Sequence, residues 1–387
     1  MLAADHWFQE APLTIKHVQV RNYRSIENAS VDLDRPTVLV GRNGSGKSAF
    51  VDVLRFVRDT VRDGLDRALA ERQGYEAVRR WSRTKSHDVE IALTRNNGDQ
   101  YGFALASSDG RAVVREEHYR SPTMTFERNR GLVKIRSKPR GQSEHREEIR
   151  FDQSELYLSH STRALTLGQM FFCNAFPNTL RIPQPPGDHR RLMDTGGNLA
   201  SVLQRLGADG RKRDSIIAAL RELMPEIVDF AVERVGGWLS LRLYHSDPSG
   251  GPPIGRDAAA ESDGTLRLLS LVTALLASDA PSLRGLIAIE EPELGVHPGV
   301  LADVWALIER VADKRTVLVT THSPDLISRA PMRCLRVVRI RDGVTTISRL
   351  AKEQVAAVQQ ELFTTGDLLR IRDLEPEHSD AAGTADG

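Results

Sequence analysis

The chain has 387 residues, 40 % of them hydrophobic and 27 % charged, the make-up of an ordinary soluble globular protein with one large α/β domain or two modest ones. A net charge of +1 points to no class of partner, so only the distribution of charge can inform on one. Cys173 and Cys334 lie far apart and form no C-x-x-C pair, which excludes a disulfide framework, a zinc ribbon and a zinc hook. No apolar run is long enough to cross a membrane and no signal-peptide pattern opens the chain, so no membrane partner and a cytoplasmic location are expected.

Residues 1–12 read as a loose leader. Strands are expected over Thr14–Arg21 and Val31–Leu33, on either side of Asn22-Tyr-Arg24-Ser-Ile26, and over Val38–Val40. A glycine-rich turn and a helix to about Gly64 follow, and Leu65–Arg80 also reads as helical. Short alternating runs at Val89–Thr94, Tyr101–Leu105, Leu132–Ile135 and Glu148–Phe151, bounded by Asn96-Asn-Gly98 and Asp109-Gly110, predict an antiparallel sheet packed beside the nucleotide loop. From Gln153 to Met224 the spacing is helical, with helices expected over Ala164–Phe176, Asn198–Leu206 and Asp214–Met224. Ile227–Val235 and Trp238–Tyr244 predict a hairpin across Gly236-Gly237, and Ser246–Asp257 a mobile connection. A helix (Thr265–Ala277), a buried strand (Leu286–Ile289), a helix (Gly299–Ala312), a buried strand (Thr316–Thr320) and a hairpin around Asp342-Gly343 complete the order. The small, polar tail from about Glu375 reads as disordered. These elements suggest an N-terminal lobe over 1–152, a helical lobe with the hairpin over 153–257, a C-terminal lobe over 258–374 and a tail over 375–387.

Four stretches carry chemistry. Gly41-Arg42-Asn43-Gly44-Ser45-Gly46-Lys47-Ser48 completes G-x-x-x-x-G-K-S between a strand and a helix. Its glycines let backbone N–H groups turn inward around a phosphate, Lys47 reaches the β/γ-phosphates, and Ser48 can hold Mg²⁺. ATP and Mg²⁺ are therefore the expected cofactors. Leu286-Ile-Ala-Ile289-Glu290-Glu291 describes a buried strand ending in paired carboxylates, with Glu290 supporting the metal and Glu291 polarising the attacking water. Thr320-Thr-His322-Ser-Pro324 sets a histidine at the end of a neighbouring strand, able to meet a γ-phosphate or position that water. Glu261-Ser262-Asp263-Gly264-Thr265 opens a helix and reads either as a simple cap or as an anion site of free N–H groups.

The order of these motifs, with Val20-Arg-Asn-Tyr-Arg-Ser-Ile26 before them and Val296-His297-Pro298 behind the acidic strand, resembles the ABC-type ATPase heads of the RecF and SMC group. The nearer likeness is to AAA ATPases related to the OLD family, over about residues 14–350. The resemblance implies an α/β P-loop NTPase fold: a mixed sheet around the phosphate-loop helix, an antiparallel β subdomain and a helical lobe. It also implies Mg-dependent ATP hydrolysis in a head-to-head homodimer, where Ser262 and Gly264 of one subunit reach the γ-phosphate on the partner's Lys47. Arg24 becomes either an α-phosphate contact or a solvated arginine, and the metal-sensing glutamine either Gln153 or Gln169. The departures matter too. The acidic pair is Glu-Glu rather than Asp-Glu, the signature is S-D-G-T, and no heptad pattern fills the interval between Ser48 and Ser262. The 64 residues after Ser323 are too few for a Toprim nuclease domain, so an ATPase head working with a separately encoded effector or nuclease is expected.

Between Arg111 and Arg150, eleven Lys/Arg face six Asp/Glu, an excess of five that is densest at Arg128, Arg130, Lys134, Arg136, Lys138 and Arg140. This is either a basic sheet edge for DNA or a solvated hairpin face. Two functions follow: an ATP-driven switch in DNA repair or anti-phage defence, or a nucleotide-gated scaffold that sequesters an effector or toxin without touching DNA.

Overall fold

The short apolar runs assemble into a sheet far larger than any one of them implies. The computed structural model describes residues 14–81, 87–108, 110–138, 143–160, 167–187, 192–276, 285–371 and 373–377. The leader (1–12), Arg140 and the tail from 378 lie outside the described residues. The N-terminal third contains β1 (Ile15–Tyr23), β2 (Ile26–Asp32), β3 (Thr37–Val40), α1 (Lys47–Asp63), α2 (Leu65–Ala70) and α3 (Tyr75–Val78). A meander follows: β4 (Val89–Arg95), β5 (Gln100–Ser108), β6 (Arg111–Arg120), β7 (Met124–Asn129), β8 (Leu132–Ser137) and β9 (His145–Arg150). The middle supplies β10 (Phe171–Cys173), α4 (Pro177–Arg181), α5 (Leu199–Gly207), α6 (Gly210–Leu223), β11 (Ile227–Val235), β12 (Trp238–His245) and β13 (Ile254–Asp257). The last third contains α7 (Asp263–Leu276), β14 (Ile287–Glu290), α8 (Leu301–Ala312), β15 (Val317–Thr321), α9 (Pro324–Ile327), β16 (Leu335–Arg341), β17 (Val344–Ser348), α10 (Lys352–Gln359) and α11 (Thr365–Ile371).

Fourteen of these strands form one sheet in the order β10-β14-β15-β3-β16-β17-β2-β1-β4-β5-β6-β7-β8-β9, and β11-β12-β13 form a second. The strands β10, β14, β15, β3 and β16 run parallel, so their C-terminal ends share one edge. They are buried on both faces and alternate between two cores, as a period of two requires. Val38, Val40, Ile287, Ile289, Val317 and Val319 pack with α5–α8, whereas Leu39, Ala288 and Leu318 pack with α1. Helix α1 buries Phe50, Val53, Leu54, Phe56 and Val57 on that second side, and its spacing of three and four is what the sequence displays.

Several expectations are corrected. The antiparallel sheet does not lie beside the nucleotide loop as a separate layer; through β2-β1 it continues the core sheet. It also contains β6 and β7, whose charged alternation hid them. The helix expected over Ala164–Phe176 is, from residue 167, a turn followed by β10, because Phe171, Phe172 and Cys173 gain a parallel partner in β14. Leu65–Arg80 divides into α2 and α3 at Gln73 and Gly74, which have φ of 66° and 93°. The segment Ser246–Asp257 ends in β13, paired with β12.

One cation of the basic stretch is not on the surface at all. Arg128 and Glu117 face each other at 3.5 Å with side chains fully buried. Arg128 donates to the carbonyls of Asp152 and Glu155, and Glu117 accepts from the N–H groups of Tyr157 and Leu158. The pair fastens the chain where it leaves the meander. Removing one partner strands the other, so Arg128→Met should cost about 3–5 kcal/mol. Lys134, about 61 % exposed and 3.4 Å from Glu148 across the strands, should cost no more than ~0.5 kcal/mol as Lys134→Met. Urea midpoints of the two variants check the contrast.

The cysteines are buried and unpaired. Burial pushes the Cys173 thiol from 9.0 up to about 12, so the native state keeps its proton where the unfolded chain loses it. Stability should therefore fall as pH rises through that window, and Cys173→Ala should flatten the fall. Thiol titration should find neither cysteine reactive in the native protein and both reactive in denaturant.

Candidate nucleotide site

The phosphate loop leaves the C-terminal end of β3 and enters α1. Gly44 and Gly46 have φ of 77° and 104°, the left-handed region in which successive N–H groups converge. A Cβ at Gly41 would meet the Val338 carbonyl oxygen at 2.2 Å, and one at Gly46 would meet the Thr345 hydroxyl at 2.2 Å. Thr345, fully buried in β17, sets its hydroxyl 2.8 Å from the Ser25 hydroxyl and 3.1 Å from the Ser45 carbonyl, bracing the loop from behind. Lys47 is buried, with Nζ donating to the carbonyls of Gly41 (2.6 Å) and Arg42 (3.1 Å). Burial pushes its ammonium below the usual lysine range, against the pull of Glu291 and Glu293. A glycine-lined loop closing on a cation and opening α1 with unpaired N–H groups fits a polyphosphate. Asn43 and Arg42 form its outer lip, and Arg42 Nε reaches Asp373 at 3.1 Å.

Ser48 lies in the first turn of α1, and Glu290 ends β14 on the same sheet edge. One hydroxyl and one carboxylate are the hard oxygen donors Mg²⁺ accepts when phosphates and water supply its other ligands. Glu290 is itself held by Arg55 of α1 at 2.7 Å. Arg55 also meets Asp194 at 3.0 Å, Arg58 grips Asp194 at 2.6 and 2.9 Å, and both guanidinium groups lie over the Phe172 ring. Arg55, Arg58 and Asp194 thus set the Glu290 carboxylate and were missed in the sequence, where only the apolar positions of α1 drew notice. Charges at Asp52, Arg55, Arg58 and Asp59 on one helix were the available signal.

Glu291 has φ of 47°, unusual for a residue with a Cβ, and its N–H bonds the Thr320 carbonyl (2.9 Å). That conformation turns the carboxylate away from the strand path. His322, after β15, places Nδ1 3.5 Å from Glu291 Oε1 and 3.5 Å from Glu293 Oε1. Lys47, Glu291 and His322 are brought together at one edge.

The remaining residues are placed as follows. Arg24 has φ of 49° and forms an ion pair with Asp52 of α1 at 2.9 Å, so it sits against the phosphate-loop helix rather than free in solvent. Ser262 caps α7, its hydroxyl accepting from the Thr265 N–H (3.1 Å) and meeting the Thr265 hydroxyl (2.8 Å). A Cβ on Gly264 would meet the Gly295 carbonyl at 2.3 Å, so the signature helix and the loop after β14 touch backbone to backbone. Arg181 holds Asp263 at 2.5 Å. Gln153 donates to the Arg130 carbonyl (3.3 Å) beside the β7–β8 turn, and Gln169 precedes β10. Neither stands at the C-terminal edge of the parallel strands. Cys173 pairs with Ile289 in register, so Asn174 is the residue level with Glu290.

Residues 14–99 match the family described as an AAA ATPase domain, and residues 175–328 match an AAA domain associated by name with the AbiEii toxin of a type IV TA system. The DNA repair protein RecN of Deinococcus radiodurans is 30 % identical over 164 residues, 41 % of this chain but 28 % of that protein. The Smc head domain with an extended coiled coil from Pyrococcus furiosus, bound to the C-terminal domain of ScpA, superposes with a TM-score of 0.56. That likeness covers 90 % of this chain and 99 % of the other at 14 % identity. An Smc head bound to the C-terminal winged-helix domain of ScpA gives 0.53 at 15 % identity, covering 89 % and 99 %. Both family matches are to AAA ATPase domains, and the Smc likenesses show that the chain has the fold of such a head. The head fold explains why the site's pieces come from both ends of the chain: β3 and α1 from the first third, β14 and β15 from the last. Among the described residues, no helix of the head is long and apolar enough to cross a membrane.

Proposed function

We propose that this head is an ATP-hydrolysing switch that dimerises face to face on ATP and couples hydrolysis to DNA-associated work. The observation that carries it is the convergence of the phosphate loop, Glu291 and His322 on one edge of the parallel strands. Lys47 and the loop N–H groups hold the phosphates, and Ser48 and Glu290 would hold Mg²⁺, which neutralises phosphate charge. Glu291 takes the proton of the attacking water, and His322 supports that water or the γ-phosphate. Asn174, level with Glu290, takes the place expected of a glutamine. Ser262 and Gly264, at the start of α7, serve the nucleotide of a second copy. The expected test is light scattering of Glu291→Gln with and without ATP: a dimer appearing only with ATP supports the reading, and a monomer in both sinks it.

The DNA-linked role draws on the RecN and Smc likenesses, and the separately encoded effector or nuclease on the chain's motif set. A second reading, a nucleotide-gated scaffold for an effector protein, is favoured by the outward face of the meander. There Arg120 pairs with Glu127 (3.1 Å) and Arg21 with Glu90 (3.4 Å), leaving less cationic surface for phosphates. Salt-dependent DNA affinity that weakens on reversing Arg136 and Lys138 supports the first; salt-insensitive or absent binding supports the second.

A further inference from the structure

We propose that Glu293 is a positioning residue of the hydrolytic centre, holding His322 beside Glu291 and joining both to the signature helix; this rests on the ATPase reading above. Glu293 Oε1 accepts from the Thr321 hydroxyl at 2.5 Å and from the His322 N–H at 3.1 Å. The Thr321 oxygen in turn accepts from the Ser323 N–H at 2.9 Å, so one carboxylate oxygen organises three successive residues at the end of β15. The Glu293 side chain is only 8 % exposed. Among the described residues its buried Oε2 has no hydrogen-bond partner, nor has His322 Nδ1, which lies between the two glutamates. A buried carboxylate oxygen without a donor costs about 1–3 kcal/mol.

The backbone around Glu293 makes the link rigid. Leu294 N–H bonds the Glu291 carbonyl and Val296 N–H bonds the Glu293 carbonyl, each at 3.1 Å, closing two turns over the stretch 291–296. Glu291 opens that stretch, Glu293 grips His322, and Gly295 presses its carbonyl on Gly264. A shift of α7 on meeting a second copy therefore has a short covalent path to Glu291, and through Glu293 to His322. The second oxygen remains able to accept a bond from a rearranged imidazole, which would move the histidine without breaking the grip on its backbone.

The test is a cycle over Glu293 and His322 in the full chain. Glu293→Ala should lower kcat about 30-fold or more while KM moves less than about 3-fold, since the phosphates are held elsewhere. Glu293→Gln keeps an acceptor for the N–H and the hydroxyl and should restore kcat to within about 5-fold of wild type. In a His322→Ala background, Glu293→Ala should change kcat by no more than about 2-fold. Losses that multiply in the double variant, or an unaltered kcat in Glu293→Ala, overturn the inference. If Glu293→Ala does not fold, Thr321→Val against His322→Ala reads the same coupling. The imidazole NMR shifts of His322 provide a readout without turnover: they should move in Glu293→Ala and stay near wild type in Glu293→Gln. Unmoved shifts overturn the inference, whereas a wild-type protein inert toward Mg-ATP with shifts that do move overturns only the ATPase reading.

Discussion

Glu291→Gln should hydrolyse ATP about 10²–10⁴-fold more slowly than wild type while binding it as tightly, because the change removes a proton acceptor and little else. Glutamine has the shape of glutamate, and the unusual φ of 47° is imposed by the surroundings. The Glu291 N–H is drawn across to the Thr320 carbonyl at 2.9 Å and lies 3.3 Å from the Thr320 hydroxyl. A backbone so held stores about 1–3 kcal/mol of strain, which persists only where neighbours over-determine it. The strained turn aims the carboxylate toward the edge shared with Lys47 and His322. Single-turnover hydrolysis and nucleotide titration separate the two effects. Turnover equal to wild type would show that another group accepts the proton; weakened binding with normal turnover would place Glu291 in ground-state contact.

Gly46→Ala should lose nucleotide binding by about 100-fold or more, through two costs that add. At φ of 104° an alanine pays about 1–2 kcal/mol of backbone strain. Its Cβ would also lie 2.2, 2.6 and 2.9 Å from the hydroxyl, methyl and Cβ of Thr345. Thr345 cannot move aside freely, being buried and bonded to Ser25 and Ser45, so the loop must shift instead. Gly44→Ala provides the comparison: at φ of 77° with open space around its Cβ, it should pay the strain alone, roughly a tenfold loss. Calorimetric titration with a non-hydrolysable ATP analogue measures both. Equal affinities for the two variants would mean that contact with Thr345 does not hold the loop.

What could be read directly were features whose physics is local. The phosphate loop depends on glycine backbone freedom and on a lysine next to it, all within eight residues. The strands ending at Glu290 and Thr321 announce themselves as apolar runs too short for helices, with polar groups at their ends. What misled was also local. Phe171-Phe172-Cys173 has helical spacing with its neighbours, and only the presence of β14 alongside makes it a strand. With that segment read as a helix, Asn174, level with Glu290 at the end of β10, drew no notice. Likewise the cations of β6–β9 could be counted from the sequence but not placed: pairing sets Arg120 beside Glu127 and buries Arg128 on Glu117.

The sequence by itself determined that this chain carries a glycine loop of the phosphate-binding pattern, presents a carboxylate pair and a histidine at strand ends, and resembles the ABC-type heads. Tertiary structure decided which groups act on one another. Arg55 reaches Glu290 across 235 positions of chain, Thr345 braces Ser45 across 300, and Glu293, in the turn after β14, grips His322 across 29. Those contacts follow from strand order in the sheet. Strand order is set by which apolar faces bury together, a property of the whole chain that no short window of sequence contains.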